Sequence, residues 1–89
     1  MPAARIVITG LVQGVFFRAQ AKEKADELAL TGWVRNNNEG SVEIVAQGPQ
    51  DKLKELEAWC HTGPAKAKVT NVTVTEEPEK ELPAFEIWY

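Results

Sequence analysis

The chain is predicted to fold as an α+β, ferredoxin-like split βαβ sandwich, with two helices on one face of an antiparallel sheet. The expected strand order is 4-1-3-2, plus a short C-terminal strand. Three observations lead there. The apolar period switches between 2 and about 3.6 in the order β-α-β-β-α-β. Glycine, proline and asparagine clusters fall between those segments. The 89 residues, 44% of them hydrophobic, suffice for one modest core and not for two, so one domain over 1–89 is expected.

Each element has its own signal. From Arg5 to Leu11, Ile6 and Ile8 alternate with Val7 and Thr9, a β-rich run that ends at the Gly10 to Gly14 bend. Residues 18–30 then place Ala21, Ala25, Leu28 and nearby Ala29 along one helical face, with Gly32 as the expected stop. Trp33, Val34 and Arg35 begin a second strand, Asn36 to Gly40 supply turn chemistry, and Val42, Ile44 and Ala46 alternate along a third. Pro49 suits a first helical turn, and Leu53, Leu56 and Trp59 or Cys60 recur at helical spacing, predicting a helix over about 50–61. Lys68 to Thr75 returns to alternation, with Val72 and Val74 expected on one side and Val69, Asn71 and Thr73 on the other. The charged 76–81 run reads as a solvated turn, and Phe85, Ile87 and Tyr89 alternate as a terminal strand.

Composition narrows the function. A net charge of −3 and a pI near 5.1 argue against nucleic acid or a membrane surface as a partner, since either would call for a basic stripe. No apolar run approaches the roughly 20 residues of a membrane span, and the N-terminus lacks a secretory h-region, so a cytoplasmic address is expected. The lone Cys60 fits a reducing compartment. One cysteine and one histidine, His61, cannot fill a tetrahedral metal shell, and the usual nucleophilic triads would all have to use that same histidine. No metal and no cofactor is expected.

What remains is an anion cradle. Gly10-Leu11-Val12-Gln13-Gly14-Val15-Phe16-Phe17-Arg18 ends a strand, bends at a glycine and delivers an arginine to a helix start. Helix starts leave backbone N–H groups without intrahelical acceptors and carry about half a positive charge, so phosphate is a natural ligand. Arg18 adds a planar guanidinium fork. The plain alternative is an ordinary bend followed by a solvated first-turn arginine, which sits at the unfavourable end of the helix dipole. Asn36 offers a donor and an acceptor at the end of the second strand, within reach of this loop in the predicted topology; it equally suits the turn, as do Asn37 and Asn38. Phe16 and Phe17 are expected to brace the loop against the core, Trp33 and Trp59 to pack, and Gln13 to tie the loop by hydrogen bonds.

Over nearly its whole length the chain resembles the acylphosphatase family. The resemblance rests on the Gly10–Arg18 block and on Gly32-Trp33-Val34-Arg35-Asn36-Asn37-Asn38-Glu39-Gly40-Ser41-Val42, continuing to Gly48. It implies the same α/β sandwich and hydrolysis of the carboxyl–phosphate bond in small acyl phosphates. It places the family's phosphate-binding arginine on Arg18, its water-positioning asparagine on Asn36, and its phosphate loop on the amides of Gly14, Val15, Phe16, Phe17 and Arg18. The implied partners are a small acyl phosphate and inorganic phosphate, and the implied state is a stand-alone monomer, although related domains open larger hydrogenase-maturation proteins. One departure stands out. Many members end in aromatic-x-Ile-Arg-Tyr, whereas this chain has Phe85-Glu86-Ile87-Trp88-Tyr89. The rival class is a regulatory module that would keep the cradle without needing Asn36.

Overall fold

In the computed structural model, which describes residues 1–89, the first alternating run becomes strand β1 (Ala3–Leu11). It is followed by α1 (Phe17–Glu27), β2 (Thr31–Asn36), β3 (Val42–Gln47), α2 (Gln50–Thr62), β4 (Lys68–Glu77) and β5 (Phe85–Trp88). The sheet order is β4-β1-β3-β2-β5. The expected 4-1-3-2 core is therefore present, and the terminal strand adds to the β2 side.

That last strand changes two expectations. β2 is not an edge strand, and the sheet is mixed, because β5 pairs with β2 in parallel while every other pairing is antiparallel. The chain path explains it. β4 ends at Glu77 opposite Ala3, at the end of the sheet where β3 finishes and β2 begins. The next segment crosses beneath that end, clasped midway by Gln47: its Nε2 donates to the Lys80 carbonyl and its Oε1 accepts from the Lys80 amide, each at 3.0 Å. Emerging where β2 starts, β5 can only run alongside it.

Period 2 puts Ile6, Ile8, Val34, Val42, Ile44, Ala46 and Phe85 on the helix-covered face, all within a cluster of 17 buried residues. Helix α1 contributes Phe17, Ala21 and Ala25, and α2 contributes Leu53, Leu56 and Cys60. Each large aliphatic or aromatic side chain buried there contributes about 1.5–3 kcal/mol. The opposite face holds a polar cluster: Glu43, 6% exposed, pairs with Arg5 and with Arg35, and Arg5 also reaches Glu77 at 2.8 Å.

Two local readings change as well. Helix α1 does not run on to Gly32. It closes with Ala29 in the left-handed region (φ 57°), the Leu30 amide donating to Ala25 O at 2.9 Å and the Ala29 amide to Asp26 O at 3.0 Å. This is a Schellman closure formed with alanine where glycine is usual. In β4, strict alternation fails: the pairing with β1 shifts between Thr9 and Gly10, so that Asn71 and Val69 oppose consecutive residues of β1. The bulge turns Val69 and Val72 toward the same core, although alternation alone assigns them to opposite sides.

Candidate active site

The loop between β1 and α1 reaches the helix through Phe16, which is the N-cap residue and has left-handed angles (φ 65°, ψ 22°). No side chain caps this end and no acidic residue occupies the first turn. The Gln20 amide, donating to Phe16 O at 3.1 Å, is the first intrahelical donor, so the amides of Phe17, Arg18 and Ala19 before it have no acceptor within the helix. These are the donors that an oxyanion at a helix start would use. Gly14, at φ 75°, supplies the backbone reversal before them, and a Cβ there would meet open space.

The second wall comes from the β2–β3 hairpin. Asn36 follows Gly32 and Val34 on the helix-covered side of β2, at the same end of the sheet as the loop. The turn bonds themselves run through Asn37: its amide donates to Ser41 O at 2.8 Å, its Nδ2 to Ser41 Oγ at 3.0 Å, and Gly40 N donates back to Asn37 O at 3.1 Å. Gln13 bridges the walls. Its Nε2 donates to Asn37 O at 2.8 Å and to Ser41 O at 3.0 Å, as expected of a residue tying the loop.

A cavity of about 330 Å³ lies between the walls, lined by Val12, Gly14, Phe16, Phe17, Arg18, Ala19, Asn36, Ile87 and Tyr89. Arg18 and Asn36 therefore open into one concavity. Phe17 is buried and meets Trp59 edge-on at 5.2 Å, as a brace should. Phe16 is not a brace: at 75% exposed it lies on the cavity rim, because the bend into the helix points consecutive side chains in opposite directions. The Val15 side chain turns into the core and does not line the cavity. Ile87 is expected from the sequence only as a strand residue, and the sequence leaves open whether the C-terminal residues meet Arg18; Ile87 and Tyr89 both line the cavity. Tyr89 stacks against the Arg18 guanidinium, 4.7 Å from Cζ to ring centre, while Arg18 Nη1 donates to the Trp88 carbonyl at 3.1 Å. The departure from the usual C-terminal pattern thus falls against Arg18.

A larger cavity, about 590 Å³, opens at the other end of β1 between Ala3, Ile6, Leu53 and Val74. Glu57, Glu76, Glu77 and Glu79 border it, and neither Arg18 nor Asn36 does, so its electrostatics repel an anion. Size does not select the site here; chemistry does.

Fold and cavity together define a small α+β sandwich with a crevice, lined by Arg18 and Asn36, at its first strand-to-helix bend. The family model described as "Acylphosphatase" matches residues 4–87. The chain belongs to the acylphosphatase family. An acylphosphatase from Marinobacter nauticus is 52% identical over 73 residues, covering 82% of this chain and 79% of the relative. The crystal structure of acylphosphatase from Bacillus subtilis superposes with a TM-score of 0.95 at 40% identity, covering 100% of both chains. Full-length HypF in its phosphate- and nucleotide-bound form contains a similar domain, at TM-score 0.93 and 28% identity over 99% of this chain but only 12% of that one.

Proposed function

We propose that this acylphosphatase holds the phosphoryl group of a small acyl phosphate with Arg18 and the amides of Gly14 to Arg18, and orients the attacking water with Asn36. The observation that supports this division of work is that Arg18 and Asn36 line the same crevice at an uncapped helix start. One guanidinium N–H is committed to the Trp88 carbonyl, which leaves the rest of the five-donor fork for phosphoryl oxygens.

The reaction hydrolyses the acyl phosphate to carboxylate and inorganic phosphate. Water oxygen bonds to phosphorus, the bond from phosphorus to the acyl oxygen breaks, and its electron pair leaves on the carboxylate. Carboxylate is a good leaving group, so the work reduces to positioning water and stabilising charge spread over the phosphoryl oxygens. A phosphoryl oxygen takes the water proton, and no histidine base is required. No carboxylate, imidazole or thiol side chain lines the crevice, so catalysis independent of metal and cofactor belongs to the same reading. So do one functional domain over residues 1–89, a monomer, and a cytoplasmic address in which Cys60 stays reduced. No helix is long and apolar enough to cross a membrane.

The test uses benzoyl phosphate and inorganic phosphate as probes, with EDTA present. Arg18→Ala is expected to lose both phosphate inhibition and turnover. Asn36→Ala is expected to keep the phosphate Ki and lose about 10²-fold in kcat, the scale of one preorganised polar group. Equal losses of phosphate affinity in both variants would overturn the assignment. A protein that binds phosphate but hydrolyses nothing would instead be the regulatory module.

A further inference from the structure

Trp33 and Trp88 lie on the sheet face away from the helices, stacked at 4.4 Å between ring centres and 10° between planes. The pairing is diagonal, since in the parallel register Trp33 opposes Glu86 and Arg35 opposes Trp88. Trp33 is itself held: Arg5 and Arg35 lie 5.9 and 5.3 Å from its ring centre, and both are paired to the buried Glu43 of β3. Trp88 is thus fastened to a network anchored in the middle of the sheet.

The backbone of Trp88 meets the site. Its carbonyl accepts from Arg18 Nη1, and the following ring, Tyr89, lies under the same guanidinium. Strand β5 has four residues and one neighbouring strand, so backbone pairing alone fixes its end weakly. We propose that the Trp33–Trp88 stack anchors the end of β5 and so presets the Arg18 guanidinium for the phosphoryl group. Trp33 and Trp88 are then positioning residues that touch no substrate, and neither lines the crevice. The inference rests on the reading of Arg18 as the phosphate ligand. Its physical content is preorganisation. An arginine fixed in the free enzyme loses less side-chain freedom on binding, and the gain is the same for bound substrate and transition state. The effect therefore belongs in KM and not in kcat.

The experiment measures benzoyl phosphate kinetics and phosphate Ki for Trp33→Leu, Trp88→Leu, the double variant and Trp88→Phe, beside Arg18→Ala. Each leucine variant is expected to raise KM and Ki together by about 3- to 10-fold, the scale of one aromatic pair, with kcat within about twofold. The double variant should be no worse than either single one, and Trp88→Phe should restore most of the affinity. Trp88 is 41% exposed, so its truncation leaves the core intact even if the Trp33 variant folds poorly. A lowered melting temperature with unchanged KM and Ki in Trp88→Leu overturns the anchor, provided Arg18→Ala has lost phosphate affinity. If Arg18→Ala retains that affinity, the parent reading fails and the anchor fails with it.

Discussion

Gln13 joins the two halves of the crevice with a single amide. Its Nε2 hydrogens satisfy two carbonyls of the β2–β3 turn, so the loop bearing the donors and the hairpin bearing Asn36 move as one. Gln13→Leu would leave both carbonyls without this donor, and a loss of about 1–3 kcal/mol in unfolding free energy is expected. Because the spacing between the loop amides and Asn36, the proposed water ligand, would also loosen, kcat should fall about tenfold or more. Gln13→Glu should be worse still, since it points a charged acceptor at two acceptors; denaturant melts and turnover at one temperature check both variants. Wild-type kcat in Gln13→Leu would show that the strap is dispensable for chemistry. The strap was legible in the sequence because an amide in a glycine-bounded loop has few other uses. Phe16 was not, since residue types alone do not say which of two adjacent aromatics faces out of a bend. Tyr89 stayed hidden for a different reason: the contact that brings its neighbour Trp88 to Arg18 spans 70 residues.

At the level of elements, the bulge in β4 opposite Gly10 and the reversal before α1 put different demands on two glycines. Gly10 has φ 123°, and a Cβ there would collide with the backbone of Lys68 and Thr70 across the bulge. Gly14 also has a positive φ, of 75°, but a Cβ there meets nothing within 4 Å. Gly14→Ala should therefore cost only the left-handed backbone penalty, about 1–2 kcal/mol. Gly10→Ala adds a clash with main chain that cannot move without breaking the ladder, and should cost about 3 kcal/mol or more. Urea unfolding of the two variants gives the comparison; equal destabilisation would mean that β4 slides freely past the bulge. Alternation located β4 correctly and misassigned Val69, because a bulge adds one residue to the register and period counting has no signal for it. The end of α1 was missed for a similar reason: alanine at 29 adopts the angle that glycine at 32 was expected to supply. The parallel β5 was beyond local patterning altogether, since its direction follows from where the preceding segment crosses the sheet.

Across the whole molecule, topology was legible because short connections and right-handed crossovers leave few orders for these elements. The two faces of the sheet then take separate tasks. The helix-covered face holds the hydrophobic core, and the open face holds the Glu43 network that steadies β2 and β5. Cys60 reports on the core, because α2 buries it completely and desolvation pushes its thiol up to about 12, with Glu57 one helical turn earlier adding to the rise. Below about pH 8 the thiol is protonated in both folded and unfolded chains and contributes no pH dependence. Above its unfolded value, near 9.0, the unfolded chain releases the proton while the native core retains it. The unfolded state then binds fewer protons, so stability should fall as pH rises, by about 1.4 kcal/mol per pH unit from this group, until the native thiol itself ionises. Cys60→Ala removes that slope at the cost of a small cavity, lowering stability at neutral pH while flattening the alkaline limb. Urea unfolding between about pH 9 and pH 11 separates the two effects, because the cavity shifts the curve whereas the thiol tilts it. Parallel curves for wild type and variant would mean that Cys60 meets water in the native state, and that α2 opens more readily than its packing implies.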